Sequence, residues 1–99
     1  MNGNFSNNSF SGTIVDVRTP EEFASGCVEG SLNIPLQALP ARVDEFKEMK
    51  SPLILCCASG NRSGQAKAYL KSMGIECENG GSWLEVRYNL LKESSGCCQ

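Results

Sequence analysis

The apolar positions of this chain fall into short runs separated by polar, Gly- and Pro-containing breaks. Thr13-Ile14-Val15-Asp16-Val17 is β-branched and nearly all apolar, and predicts a strand buried on both faces. The pattern then changes at Arg18-Thr19-Pro20-Glu21-Glu22. Thr19 can cap a helix, Pro20 fits its first position, and two carboxylates suit its N-terminal dipole. That short helix stops near Gly26, and a second strand is expected around residues 31–34, cut off by Pro35. Leu36, Leu39, Val43 and Phe46 recur at helical spacing and predict an amphipathic helix to about Lys47, with Pro40 as an alternative start. Ser51-Pro52 breaks the chain before Leu53-Ile54-Leu55-Cys56-Cys57, the strongest strand signal present. Ser63 opens a further helix with Ala66, Leu70 and Met73 on one face, stopped by Gly74. Ile75-Glu76-Cys77-Glu78 alternates as a short strand does, with Asn79-Gly80-Gly81 as a turn after it. Ser82 caps a last helix in which Leu84, Tyr88 and Leu91 share a face.

Strands alternating with helices indicate an α/β layer structure on a mainly parallel sheet. With 99 residues and no internal repeat or linker, the chain is expected to form one domain over residues 13–92. Residues 1–12 read as a short polar segment and residues 93–99 as a flexible tail. A formal net charge of −2 provides no broad basic field for nucleic acid or an anionic membrane, so any anion site must be local. The Asn/Ser/Gly-rich start lacks a basic patch and an apolar stretch, and no run of about 18 apolar residues offers a membrane span. If that start is native, a cytoplasmic protein is expected; a mature form with its leader removed would look the same. The 6 cysteines stand at positions 27, 56, 57, 77, 97 and 98, with no C-x2-C pair and no histidine, so the usual zinc patterns are missing. Adjacent cysteines are poorly placed for an unstrained disulfide. Reduced thiols are preferred to a secreted disulfide scaffold, and no metal site is expected.

Ligands of open α/β sheets bind beyond the carboxyl ends of the strands. There lies Cys57-Ala58-Ser59-Gly60-Asn61-Arg62-Ser63: a thiol leaving the best strand, a short loop, and a helix start. Loop N–H groups can converge as a nest, the helix N-terminus adds partial positive charge, and Arg62 adds a planar cationic fork suited to oxyanions. Gly60 permits a backbone angle that bulkier residues resist. The combined effect is to stabilise a negative sulfur, so Cys57 is expected to be substantially thiolate at neutral pH. The competing reading is a buried, unreactive strand cysteine, which is common in isolation. Strand alternation assigns that reading to Cys56, on the face opposite Cys57. Cysteine phosphatases close a C-x5-R ring around phosphate. The C-x4-R ring here is one residue shorter and better sized for a single extra sulfur.

These residues resemble the rhodanese family, and the match is close to its single-domain bacterial thiosulfate sulfurtransferases. The resemblance rests on residues 14–23 continuing into residues 26–35, on Cys57 to Ser63 with Gln65-Ala66, and on Asn79-Gly80-Gly81-Ser82-Trp83. It spans about residues 13–91. Cys27 stands where the family usually has a histidine, and the polar segment before Thr13 suggests an abbreviated first edge strand. The resemblance implies a rhodanese-like three-layer sandwich, with a mainly parallel sheet of about four to five strands and helices on both faces. It implies a sulfane sulfur carried as a persulfide on Cys57, with Ala58, Ser59, Gly60, Asn61, Arg62 and Ser63 binding the substrate. Arg62 would attract an anionic donor and steady the loop, and Ser63 would cap the helix. The donor would be thiosulfate or a polysulfide, the acceptor cyanide, a thiol or a dithiol, including one on a protein. No metal or organic cofactor is implied, and a monomer is expected.

Other features read more plainly. Asp16 and Arg18 are expected to pair structurally near the loop, Glu21 and Glu22 to be surface residues, and Trp83 to pack beneath the sheet edge or line the pocket mouth. Lys67 and Lys71 form a helix face read first as solvated and second as a docking face for a protein acceptor. Cys97-Cys98 reads first as a disordered tail, second as a sulfur relay and last as a soft-metal site, for want of further ligands. Two other functions stay open: a phosphatase or arsenate reductase using the same cradle, and a non-catalytic or carrier module.

Overall fold

The apolar runs form strands, and the strands lie in one sheet. The computed structural model describes residues 11–96, and side chains as far as residue 91. In it β1 (Thr13–Asp16), β2 (Leu32–Asn33), β3 (Leu53–Cys57) and β4 (Glu78–Ser82) pair in parallel, in the order β2-β1-β3-β4. The connections carry α1 (Pro20–Ala24), a 3-10 turn (Leu36–Ala38) running into α2 (Leu39–Lys47), and α3 (Asn61–Ser72); α4 (Trp83–Gly96) follows the last strand.

Period-two alternation divides the strand side chains between two cores. Val15, Leu53, Leu55 and Cys57 face one way, against Leu39, Val43 and Phe46 of α2 and Ala66 and Leu70 of α3. Ile14 and Cys56 face the other, against Val28 and α4's Val86, with Trp83 and Leu90 packed alongside. Both central strands are therefore buried on both faces, and the layered architecture expected from the sequence is present with four strands. Local chemistry fixes two helix starts as expected. Thr19 and Glu22 form a capping box at α1 with Pro20 in the first turn, and Ser82 Oγ accepts from the Glu85 N–H at 3.1 Å at α4.

Several elements depart from the sequence reading. The fourth strand occupies residues 78–82 rather than 75–78, so the segment read as a turn is itself strand. Its glycines serve close approach: a Cβ on Gly80 would lie 2.7 Å from Val86 Cγ2 and 2.8 Å from Ile54 Cγ2. Ile75 and Cys77 are buried in the first core without joining the sheet. Leu84, Tyr88 and Leu91 do share a face of α4, but it points to solvent, at 56%, 63% and 58% exposure. Met73 lies just past the end of α3 and is exposed, so it does not extend that helix's buried face. α3 begins at Asn61, with Gly60 as its cap, so Ser63 lies inside it. α4 runs to Gly96, past the expected boundary at residue 92. Residues 1–10 and 97–99, including Cys97 and Cys98, lie outside the described residues. Among those described, no helix is long and apolar enough to cross a membrane.

The strand order locates the site. The connection from β1 leads to β2 on one side, while that from β3 leads to β4 on the other. The crevice at the carboxyl ends of β1 and β3 is therefore a topological switch point, where open sheets bind ligands. Cys57 ends β3 on one wall, and Arg18 follows β1 on the other.

Candidate active site

After Cys57 the chain makes a left-handed turn at Gly60 (φ 95°, ψ −8°) and enters α3. Glycine is required here twice over. The angle disfavours a side chain, and an added Cβ would lie 3.2 Å from the backbone Cα of Gly81. This turn aims the Gly60 N–H at Cys57 Sγ from 3.0 Å, with the Ser63 N–H at 3.4 Å and Ser63 Oγ at 3.5 Å. Burial alone would push the Cys57 thiol up. Hydrogen bonds from the Ser63 hydroxyl and from the amides of Ser63, Ser59 and Gly60 outweigh it and bring the thiol below its ordinary value. Thus Ser59, Gly60 and Ser63 supply the inward donors, while Ala58, Ser59 and Asn61 form an exposed rim. Cys57 itself is fully covered, at 0% exposure, so the loop closes over the sulfur as well as cradling it. The neighbouring Cys56 behaves oppositely. Burial, with the Asp16 carboxylate nearby, pushes its thiol up to about 12.

A residue read from the sequence as part of a turn braces this loop from β4. Asn79 Nδ2 donates to Gly60 O at 3.0 Å, and its Oδ1 accepts from Ser63 Oγ at 2.7 Å and from Gly81 N at 2.9 Å. The Ser63 hydroxyl has one hydrogen, and its shorter contact is to Asn79, so the amides are the steadier donors to sulfur. Ser63 therefore links the sulfur to β4 and is not the cap of α3. Only the Asn-Gly-Gly sequence pointed to this segment, and its usual turn chemistry concealed the brace.

Arg62 is also engaged. Its two terminal nitrogens donate to Glu22 of α1, Nη1 to Oε1 at 2.8 Å and Nη2 to Oε2 at 3.0 Å. Glu22 Oε1 additionally accepts the Thr19 N–H at 3.0 Å. The Arg62 hydrogen bonds, with help from the Thr19 backbone, hold the Glu22 carboxyl down at about 2. Glu22 is half-exposed, but it is far more than the plain surface residue expected of an acidic first helical turn. Nothing local in the sequence announces a partner forty positions away. Deeper in the crevice wall, the Arg18 guanidinium pairs with Asp16 at 2.7 Å, with the side chains 5% and 0% exposed. Arg18 also donates to Gly26 O at 2.6 Å and stacks 4.8 Å above the centre of the Trp83 ring. This is the structural pair expected from the sequence, and it sets the path of the segment before β2. Cys27 is half-buried. Among the described residues no group of three or more His, Cys, Asp or Glu side chains is arranged to hold a metal ion.

Chemically, the arrangement is a thiol favoured as its anion, at a strand end, with backbone donors converging on it. Such a group can attack an electrophilic sulfur and keep the resulting anion stabilised. Comparison with known proteins points the same way. The family model for the rhodanese-like domain matches residues 2–89. A sulfurtransferase of Allochromatium vinosum is 39% identical over 61 residues, covering 62% of this chain and 56% of its own. The thiosulfate sulfurtransferase PspE of Escherichia coli is 35% identical over 80 residues, covering 79% of this chain and 77% of its own. A solved structure described as rhodanese with anions from E. coli superposes with a TM-score of 0.64 at 33% identity, covering 74% of this chain and 88% of that one.

Proposed function

Because this chain belongs to the rhodanese-like domain family, we propose that it is a sulfurtransferase that carries a sulfane sulfur on Cys57. The observation that carries this reading is the pair of amides, Gly60 and Ser63, at 3.0 and 3.4 Å from Cys57 Sγ. The Cys57 thiolate attacks the outer sulfur of thiosulfate or a similar donor. A new S–S bond forms at Cys57, the donor's own S–S bond breaks, and its electron pair leaves on sulfite. The result is a persulfide anion at the foot of the loop from Ala58 to Ser63. The loop donors that favoured the thiolate then favour this anion, and they are already oriented when it forms. A thiol, dithiol or cyanide acceptor removes the outer sulfur and regenerates the thiolate, giving ping-pong kinetics. Contacts this close around one sulfur suit a second sulfur atom better than a tetrahedral phosphate. Since Cys57 is covered, the exposed rim at Ala58, Ser59 and Asn61 has to move off the sulfur to admit a donor.

Incubation with thiosulfate followed by intact-mass measurement tests the proposal. A gain of one sulfur, about 32 Da, that cyanide discharges and Cys57→Ala abolishes is the expected result. A mass gain that persists in Cys57→Ala, or no gain with any sulfane donor, overturns it.

A further inference from the structure

Of the residues that turn a donor toward Cys57 Sγ, Gly60 is the least able to hold its own position. It has no side chain to pack, and glycine enters many backbone angles besides the left-handed one taken here. Its N–H lies 3.0 Å from the sulfur, so what keeps it there comes from its neighbours. The Gly60 carbonyl accepts two hydrogen bonds, from the Gly64 N–H within α3 at 3.0 Å and from Asn79 Nδ2 of β4 at 3.0 Å. The Asn79 amide is itself fixed in one sense. The Gly81 N–H donates to its Oδ1 at 2.9 Å, which leaves the amide nitrogen to face Gly60. A flipped amide, or a carboxylate, would set oxygen against the Gly60 carbonyl. The same Oδ1 accepts the Ser63 hydroxyl at 2.7 Å, so a second loop residue is tied to β4. Room for this amide comes from Gly64, where an added Cβ would lie 3.3 Å from Asn79 Nδ2.

We infer that Asn79 is a positioning residue for sulfur transfer, holding Gly60 and Ser63 to β4 so that their amides stay aimed at Cys57. This rests on Cys57 being the sulfur carrier, as proposed above. The exposed rim has to move off the sulfur to admit a donor, and a cradle that moved with it would lose its aim as the persulfide forms. The two anchors divide the loop: Gly60 and Ser63 stay with the sheet while its exposed side moves. Donors fixed before the charge develops cost no reorganisation when it does. Asn79 acts through these two residues, without touching the transferred sulfur.

The test follows iodoacetamide labelling of Cys57 against pH, peptide by peptide, together with its sulfur loading from thiosulfate and urea unfolding. Removing Asn79 also frees the Ser63 hydroxyl to turn to the sulfur, so Asn79→Ala is measured in a Ser63→Ala background. There it should raise the Cys57 labelling midpoint by about one pH unit, a tenfold loss of thiolate below the midpoint. A more basic thiolate is also more nucleophilic, so loading at the same pH should fall less, by about threefold. Gly64→Ala reaches the same amide by another route. Alanine favours the helix, so urea stability should hold or rise, while its Cβ presses on Asn79 Nδ2 and the Cys57 midpoint rises. Lower stability of Asn79→Ala with an unchanged Cys57 labelling curve marks a merely structural brace, and overturns the inference while leaving the sulfurtransferase reading intact. If Asn79→Ala does not fold, Gly64→Ala decides in its place, an unchanged midpoint again overturning the inference. If thiosulfate does not load Cys57 in the parent protein, the carrier reading fails and takes this one with it.

Discussion

Gly60→Ala is the most direct probe of the loop. Alanine at a left-handed angle costs about 1–2 kcal/mol. The new Cβ also meets the Gly81 Cα at 3.2 Å, and because that neighbour is backbone it cannot rotate away. Crowding of this kind adds about 1–3 kcal/mol unless the loop shifts. The available relief is to swing Gly60 away from β4, and this draws its N–H off Cys57 Sγ, now 3.0 Å distant. A hydrogen bond to a charged group contributes about 1.5–3 kcal/mol, and about 1.4 kcal/mol is a factor of ten in an equilibrium. The thiolate fraction of Cys57 below its midpoint should then fall about tenfold or more. Iodoacetamide labelling followed peptide by peptide across the pH range reads this at Cys57 alone, separately from the other cysteines. Urea unfolding of the same variant reads the strain. If stability falls while the Cys57 labelling curve superimposes on the parent's, the Gly60 amide does not hold the thiolate and the electrostatic argument is wrong.

Three further outcomes follow from the buried groups. Asp16→Asn leaves the Arg18 guanidinium, 4% exposed, without its charge partner and should cost about 3–5 kcal/mol in urea unfolding. A loss below about 1 kcal/mol would mean that water reaches the pair. Cys56 titrates near 9.0 unfolded and at about 12 folded. Its raised value leaves stability unaffected below pH 9 and removes it as pH climbs toward 12, by up to about 4 kcal/mol. Cys77 is raised by burial as well and adds to the same limb, whereas Cys57 is lowered and its linkage falls at lower pH. Unfolding midpoints measured against pH should show this alkaline decline, reduced in Cys56→Ala; an unchanged decline would place its cause elsewhere. The Glu22–Arg62 pair, with Glu22 held at about 2, should be indifferent to pH across the neutral range and fail only in strong acid. Sulfur loading should therefore track ionisation of Cys57 alone, and a second ionisation in the parent's pH profile that Glu22→Gln removes would contradict this.

What could be read from the sequence was what neighbours in the chain decide. β3, the loop, the requirement for Gly60 and the opposite fates of Cys56 and Cys57 all depend on residues within a few positions, and alternation along one strand settles the last. The caps at Thr19 and Ser82 are equally local. Glu22 and Asn79 could not be read because their partners lie far along the chain: Arg62 for one, Gly60 and Ser63 for the other. β4 was displaced for a related reason. Asn79-Gly80-Gly81 has the composition of a turn, and only the approach of Ile54 and Val86 explains the glycine in a strand. The outward face of α4 followed the same course, since Leu84, Tyr88 and Leu91 keep helical period without facing the sheet. The pattern gave a stripe, and packing chose another side.

The placement of Cys56 and Cys57 on opposite sides of one sheet has a consequence for how cargo is discharged. A neighbouring thiolate that reached the inner sulfur of the persulfide would expel the outer sulfur as hydrosulfide and leave the two cysteines joined in a disulfide, a strained one when they are adjacent in the chain. Here a whole layer of backbone stands between them, and Cys56 is walled in by Ile14, Val28 and Val86. A loaded Cys57 cannot short-circuit through the adjacent residue. Its sulfur waits for a nucleophile that arrives from solvent.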